Sequence, residues 1–139
     1  VVQDLFLAGA GQVALADTSG YADPLRVAQT LEKLREFFDI AHLAMHFHDT
    51  RGLAMANVTT ALELGVTCFD GSVGGLGGCP FIDGAAGNVA SEELAFLMNR
   101  LGLQTGINLP KLLGAAQFAL ERLGKKKYSK LFETFQAPS

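Results

Sequence analysis

Residues 42–70 read HLAMHFHDTRGLAMANVTTALELGVTCFD. His42 to Phe47 is an apolar run of strand length, and Asp49-Thr50-Arg51-Gly52 is a loop composition. Ala54 to Leu64 reads as a helix stopped by Gly65, and Val66 to Phe69 reads as a second short strand. Strand, helix and strand joined by short loops make a βαβ unit, so the two strands run parallel through a right-handed crossover.

The same alternation extends in both directions. Upstream, Val2, Leu5 and Phe6 fall at helical spacing in residues 1–10, closed by Gly9 and Gly11. Gln12 to Ala16 is a strand ending at Asp17. After the loop Thr18-Ser19-Gly20-Tyr21, Asp23 caps a helix with Pro24 in its first position, and Leu31, Leu34 and Phe38 give that helix an apolar stripe to about Phe38. Downstream, Asn88-Val89-Ala90 reads as a very short fourth strand. Ser91 then caps a helix with Glu92 and Glu93 in its first turn, and Asn108-Leu109-Pro110 opens another running to about Leu123. The resulting order, β-α-β-α-β-loop-β-α, predicts a parallel α/β fold, and four strands are half of a (β/α)8 barrel.

Composition narrows the function classes. The 139 residues are 49% hydrophobic and 18% charged, a globular balance. A net charge of −3 gives no electrostatic reason to expect nucleic acid or an anionic membrane as partner. The run Lys125-Lys126-Lys127 reads as a solvated tail, with a phosphate-bearing ligand as the alternative. No window holds eighteen uninterrupted apolar residues. The start, Val1-Val2-Gln3-Asp4, has no signal-peptide character and no initiator methionine, so the chain is expected to begin inside a longer one. Two cysteines without framework spacing fit a reducing compartment, and no Cys68–Cys79 disulfide is expected.

The residues with chemical potential gather at strand ends, where parallel α/β folds build their sites. Strand alternation puts His46 and His48 on one face, with Cα atoms about 6.6 Å apart. Two imidazoles that close can share one divalent cation, whereas His42, deeper on the same face, reads as structural. Asp49 either orients an imidazole or caps its loop. Asp17 either reaches the site or caps the turn after it. Asn88 offers an amide oxygen, a donor that suits Mg²⁺ or Mn²⁺ better than zinc. Between them lies GSVGGLGGCPFIDGAAGN (71–88), with seven glycines in eighteen residues and Cys79 as the thiol placed for reaction. Cys68, in an apolar strand, reads as core. The loop lacks the Gly-Lys-Ser/Thr ending of a phosphate-binding P-loop.

These segments resemble the 3-hydroxy-3-methylglutaryl-CoA lyases. The resemblance is carried by LADTSGYADP (15–24), HFHDTRG (46–52), SVGGLGGCPFIDGAAGN (72–88), SEEL (91–94) and TGINLPKLL (105–113). Isopropylmalate and homocitrate synthases share the His-x-His strand end and the Gly-Asn pair, but not the Gly-Gly-Cys-Pro loop. The resemblance implies an α/β fold forming the C-terminal half of a TIM (β/α)8 barrel, parallel strands 5–8 with their following helices, over residues 1–123, with a tail at 124–139. It implies cleavage of an acyl-CoA substrate to acetyl-CoA and acetoacetate, as in leucine degradation and ketone body formation, in the bacterial cytoplasm or the mitochondrial matrix. His46, His48 and Asn88 would ligate Mg²⁺ or Mn²⁺. Cys79, His46 and Asp17 would be catalytic, with Gly77 and Gly78 in the substrate loop and Asp49 behind the ligands.

In that family an arginine, a metal-ligating aspartate and a glutamate come from the first barrel half, and this chain has no equivalent. The expectation is therefore a fragment, inactive alone, that pairs with an N-terminal half or a second chain and forms homo-oligomers. Two other readings stay open. One is a related aldolase or condensing barrel acting on a 2-oxo acid; the other is an inactive assembly module.

Overall fold

The computed structural model describes residues 1–78, 87–125 and 129–134. Its element order is α1 (Val2–Leu7), β1 (Val13–Asp17), α2 (Pro24–Arg35), β2 (Leu43–Phe47), α3 (Ala54–Glu63), β3 (Cys68–Asp70), α4 (Ser91–Arg100), α5 (Leu109–Arg122) and α6 (Leu131–Thr134). The strands form one sheet in the order β1-β2-β3, and both pairings are parallel. Helices follow the strands as crossovers, so the half-barrel architecture expected from the alternation is present as a partial barrel wall.

Local chemistry sets the helix boundaries. Asp23 accepts the N–H of Arg26 at 2.8 Å with Pro24 in the first helical position, so α2 starts where its cap and its imide demand. Asn108 caps α5 in the same way, accepting the N–H of Lys111 at 3.0 Å. At α4 the cap position falls on Ala90, and Ser91 is the first helical residue. Helix α2 ends at Arg35, short of Phe38, because Phe38 turns back to stack on Phe6 at a centroid distance of 5.3 Å. Asp39 then caps a 3₁₀ turn over Ile40–His42. That turn removes His42 from the strand and leaves it exposed, edge-on to Phe6.

The register explains which face is which. Val13 pairs with Leu43 and Leu15 with Met45; with Phe47 and Phe69 these residues point into the helices, against Val27, Leu31, Val58, Leu94 and Met98. Phe47, Leu31 and Leu43 are almost fully buried, worth roughly 1.5–3 kcal/mol each by area. The alternate residues form the opposite face in two rows, Ala14-Ala44-Cys68 and Ala16-His46-Asp70. Ala14, Ala16 and Asp70 are exposed there. Cys68 is half-buried rather than core, with Sγ 3.8 Å from Oε1 of Gln12. It sits on an edge strand and on the face the helices do not cover.

Residues 88–90 do not make a fourth strand. They form two isolated bridges, His48 with Asn88 (antiparallel) and Ser72 with Ala90 (parallel). Asn88 is too near the loop's return and Ser91 too near the helix for a ladder to propagate. Helix α5 packs on α4 and on the 3₁₀ turn Val73–Gly75. Among the described residues beyond it, Ser129 is buried, and the N–H of Lys130 donates to Oε1 of Glu93 at 2.6 Å. Among the described residues, no helix is long and apolar enough to cross a membrane.

Candidate active site

Parallel strands deliver their C-terminal ends to one rim, and the loops leaving them carry the polar residues. His46, the fourth residue of β2, and His48, just past its end, stand on the uncovered face with ring centroids 5.2 Å apart in an edge-to-face arrangement. The pairing expected from strand alternation is therefore realised. His42 lies at the other end of the strand.

Asn88 reaches His48 because the loop's return segment is strapped antiparallel onto the end of β2. The N–H of Asp49 donates to the carbonyl of Gly87 at 3.2 Å, and the N–H of Val89 to that of Phe47 at 3.0 Å. Nδ2 of Asn88 donates to the carbonyl of Leu76 at 2.8 Å, which turns Oδ1 into the amide's remaining acceptor. A Cβ on Gly87 would lie 1.7 Å from the carbonyl oxygen of Gly75, and one on Gly77 would lie 2.6 Å from Nδ2 of Asn88. Gly77 also has a φ of +98°. Both glycines are thus steric requirements for seating Asn88. Gly78 is exposed at the loop's departure. Cys79 lies outside the described residues.

Burial and charge act on His48. It is 7% exposed, and its Nδ1 has no hydrogen-bond partner among the described residues. Its pKa is lowered, first by burial and then by the nearby His46 ring, against an opposing pull from Asp17. A neutral imidazole with an unsatisfied buried nitrogen is the protonation state that ligation requires.

The two aspartates singled out beside the histidines have other partners. Asp17 shares a register position with Phe47, on the helix-facing side. Its two oxygens accept the N–H groups of Tyr21 (3.1 Å) and Ala22 (3.2 Å), so it caps its turn and acts on His48 only through its charge. Asp49 accepts the N–H of Ala54 at 3.0 Å, at the start of α3, and its second oxygen is 3.5 Å from Nζ of Lys130. Arg51 ties the two loops together: its guanidinium lies over the Tyr21 ring and donates to the carbonyls of Ser19 and Gly20.

Two residues of the site were not singled out for it by the sequence reading. Asp70, at the end of β3, contacts Nδ1 of His46 through Oδ1. The available signal was a strand-end aspartate before Gly71, one strand over from His46. Glu92, read as a helix-dipole carboxylate, is wholly buried and accepts the N–H of Gly74 at 3.0 Å.

Among the described residues, no three His, Cys, Asp or Glu side chains converge as a ready metal cage. The donors that the described residues bring to this rim are two imidazoles and an amide oxygen. They fit one side of a divalent cation's shell, since the His48 nitrogen is orphaned and the Asn88 amide is oriented by Leu76.

The HMGL-like family model matches residues 1–119. The hydroxymethylglutaryl-CoA lyase YngG of Bacillus subtilis is 44% identical over 133 residues, covering 96% of this chain and 44% of that protein. A crystal structure of the Bacillus subtilis HMG-CoA lyase superimposes with a TM-score of 0.92 at 43% identity, covering 96% of this chain and 45% of that one. An HMG-CoA lyase from Acinetobacter baumannii, solved with coenzyme A and 3-methylmalate, gives a TM-score of 0.90 at 35% identity over 99% of this chain and 45% of that one. The chain spans less than half the length of the relatives it matches. With the family model over most of its residues, and the strand-end histidines and asparagine in one place, this chain belongs to the HMGL-like family.

Proposed function

We propose that this chain supplies one wall of a metal-dependent carbon–carbon lyase that splits 3-hydroxy-3-methylglutaryl-CoA into acetyl-CoA and acetoacetate. The observation that carries the reading is the antiparallel bridge between His48 and Asn88 beside His46. It gathers two imidazoles and one amide oxygen from separate segments at a strand-end rim. Likeness to hydroxymethylglutaryl-CoA lyases supports the reaction, and the coenzyme A in the Acinetobacter relative supports an acyl-CoA substrate.

His46, His48 and Asn88 would hold Mg²⁺ or Mn²⁺, the cations that suit mixed imidazole and amide-oxygen donors. When bound, the cation supplies Lewis acidity that eases loss of the substrate hydroxyl's proton. His48 enters the site already neutral, and His46 borders the reacting groups. As the carbon–carbon bond breaks, its electron pair passes to the acetyl-CoA enolate, and Cys79 donates a proton to that carbon. The hydroxyl proton would pass to the aspartate that the resemblance places in the complementary half, and the count closes when that carboxylate gives up a proton to solvent and the Cys79 thiolate regains one. As the resemblance implies, the loop that carries Cys79 would exclude water from the enolate. Asp17 supports the rim through its charge and its turn.

A complementary half barrel, from a longer polypeptide or a second chain, completes the site with the arginine, aspartate and glutamate of the resemblance. The test is a lyase assay with Mn²⁺ on this chain alone and on this chain mixed with the N-terminal half of a relative. Cleavage only in the mixture is expected. Turnover by the chain alone would refute the need for the complementary half. If a Cys79→Ala mixture keeps full turnover, Cys79 is not the proton donor; a mixture that leaves the acyl-CoA intact but condenses or cleaves a 2-oxo acid would favour the aldolase reading.

A further inference from the structure

We propose that Asp70 is a positioning residue for His46, fixing the ring so that Nδ1 carries the hydrogen and Nε2 keeps the lone pair for ligation. The inference rests on the proposed metal role of His46 and deepens it.

The backbone makes this pair. His46 and Asp70 are register partners on β2 and β3, so pleat alternation sends both side chains to the same uncovered face. There Oδ1 of Asp70 meets Nδ1 of His46. A carboxylate offers only acceptors, so the shared hydrogen belongs to the imidazole. Free histidine in water favours the opposite tautomer, with hydrogen on Nε2. Without Asp70, His46 would hold its hydrogen on the nitrogen needed for ligation.

Among the described residues, the other aspartates near the pair are otherwise engaged. Asp17 is engaged by Tyr21 and Ala22, and Asp49 by Ala54 and Lys130. Because the His46 and His48 rings meet edge to face, fixing one ring also fixes the wall against which the other rests.

The test reads the tautomer directly. In metal-free, ¹⁵N-labelled protein, two-bond ¹H–¹⁵N correlations of His46 should show the Nδ1–H form. Asp70→Ala should convert most of the population to Nε2–H, whereas Asp70→Asn, whose side-chain oxygen still accepts, should keep Nδ1–H. Calorimetric Mn²⁺ affinity should fall about 10–100-fold in Asp70→Ala and less in Asp70→Asn. Asp70 is more than half exposed, so neither substitution disturbs the core. An Asp70→Ala protein that retains the Nδ1–H tautomer would overturn the proposal. An Nδ1–H tautomer that is lost in Asp70→Ala, with no Mn²⁺ taken up by the unsubstituted chain even when mixed with the N-terminal half of a relative, would support the positioning of His46 and refute the metal reading alone.

Discussion

Glu92, shielded from solvent at the first turn of α4, holds the backbone N–H of Gly74 through Oε2 at 3.0 Å. Gly74 adopts a φ of +65° inside the turn that begins the glycine loop, so one buried carboxylate fixes a residue that only glycine tolerates well.

Replacing Glu92 with alanine should cost about 1–3 kcal/mol, the penalty for a buried donor left unpaired. Glu92→Gln keeps an accepting oxygen and should cost less than about 1 kcal/mol. Denaturant unfolding gives both values. Hydrogen exchange at the Gly74 amide should quicken in the alanine variant alone, and equal protection in both would remove the anchoring role.

The glycines differ sharply in what they tolerate. Gly87→Ala would drive a Cβ to within 1.7 Å of the Gly75 carbonyl oxygen, so the loop's return must shift and Asn88 with it. Soluble yield and Mn²⁺ binding should both collapse. Gly114, inside α5 with nothing near its missing Cβ, should accept alanine with a gain of about 0.5–1 kcal/mol. A thermal melt that ranks the two substitutions the other way would contradict the packing described for the loop.

Asp17 accepts two backbone N–H groups, and its variants should lose stability in steps. Asp17→Asn, with one accepting oxygen, should cost about 1 kcal/mol, and Asp17→Ala about 2 kcal/mol. The asparagine also removes the charge that raises the His48 pKa, so the His48 titration should move lower still. An unmoved His48 signal in Asp17→Asn would separate the two sites.

His48 itself predicts a pH signature in the metal-free protein. Its folded pKa lies below the ordinary 6.5, chiefly through burial. Between 6.5 and that lower value the unfolded chain binds the proton and the folded chain does not. Stability is thus full above 6.5 and declines as pH falls through the window, with no further loss from this group below the folded pKa. An NMR titration should place the His48 midpoint under 6.5, and His48→Gln should flatten that part of the stability profile. A midpoint at or above 6.5 would contradict the burial argument.

Much of the fold was legible because its signals are local. Caps at Asp23 and Asn108, the stop at Gly65 and the alternation across Leu43–Phe47 each depend on neighbours in sequence. The histidine pair was legible for the same reason. What sequence could not supply was the far partner. Asp70 becomes a neighbour of His46 only once two strands are in register, and Glu92 becomes an anchor only once α4 meets the glycine turn. The aspartates at 17 and 49 had two local readings each, and hydrogen-bond geometry shows both capping. Cys68 reads as core in sequence yet is half-buried, because an apolar strand looks the same whether its second face is covered or bare.

That bare face carries little bulk. Ala14, Ala44 and Ala16 contribute methyl groups where a barrel interior is ordinarily packed with branched side chains. In the proposed reading with a complementary half, the volume that fills the space would come from that opposing wall, which would make assembly, rather than folding, the step sensitive to size here. A leucine at the exposed Ala14 position would leave this wall's own melting point nearly unchanged and obstruct its closure against a partner. Folding and closure would in that reading be governed by opposite sides of the same three strands.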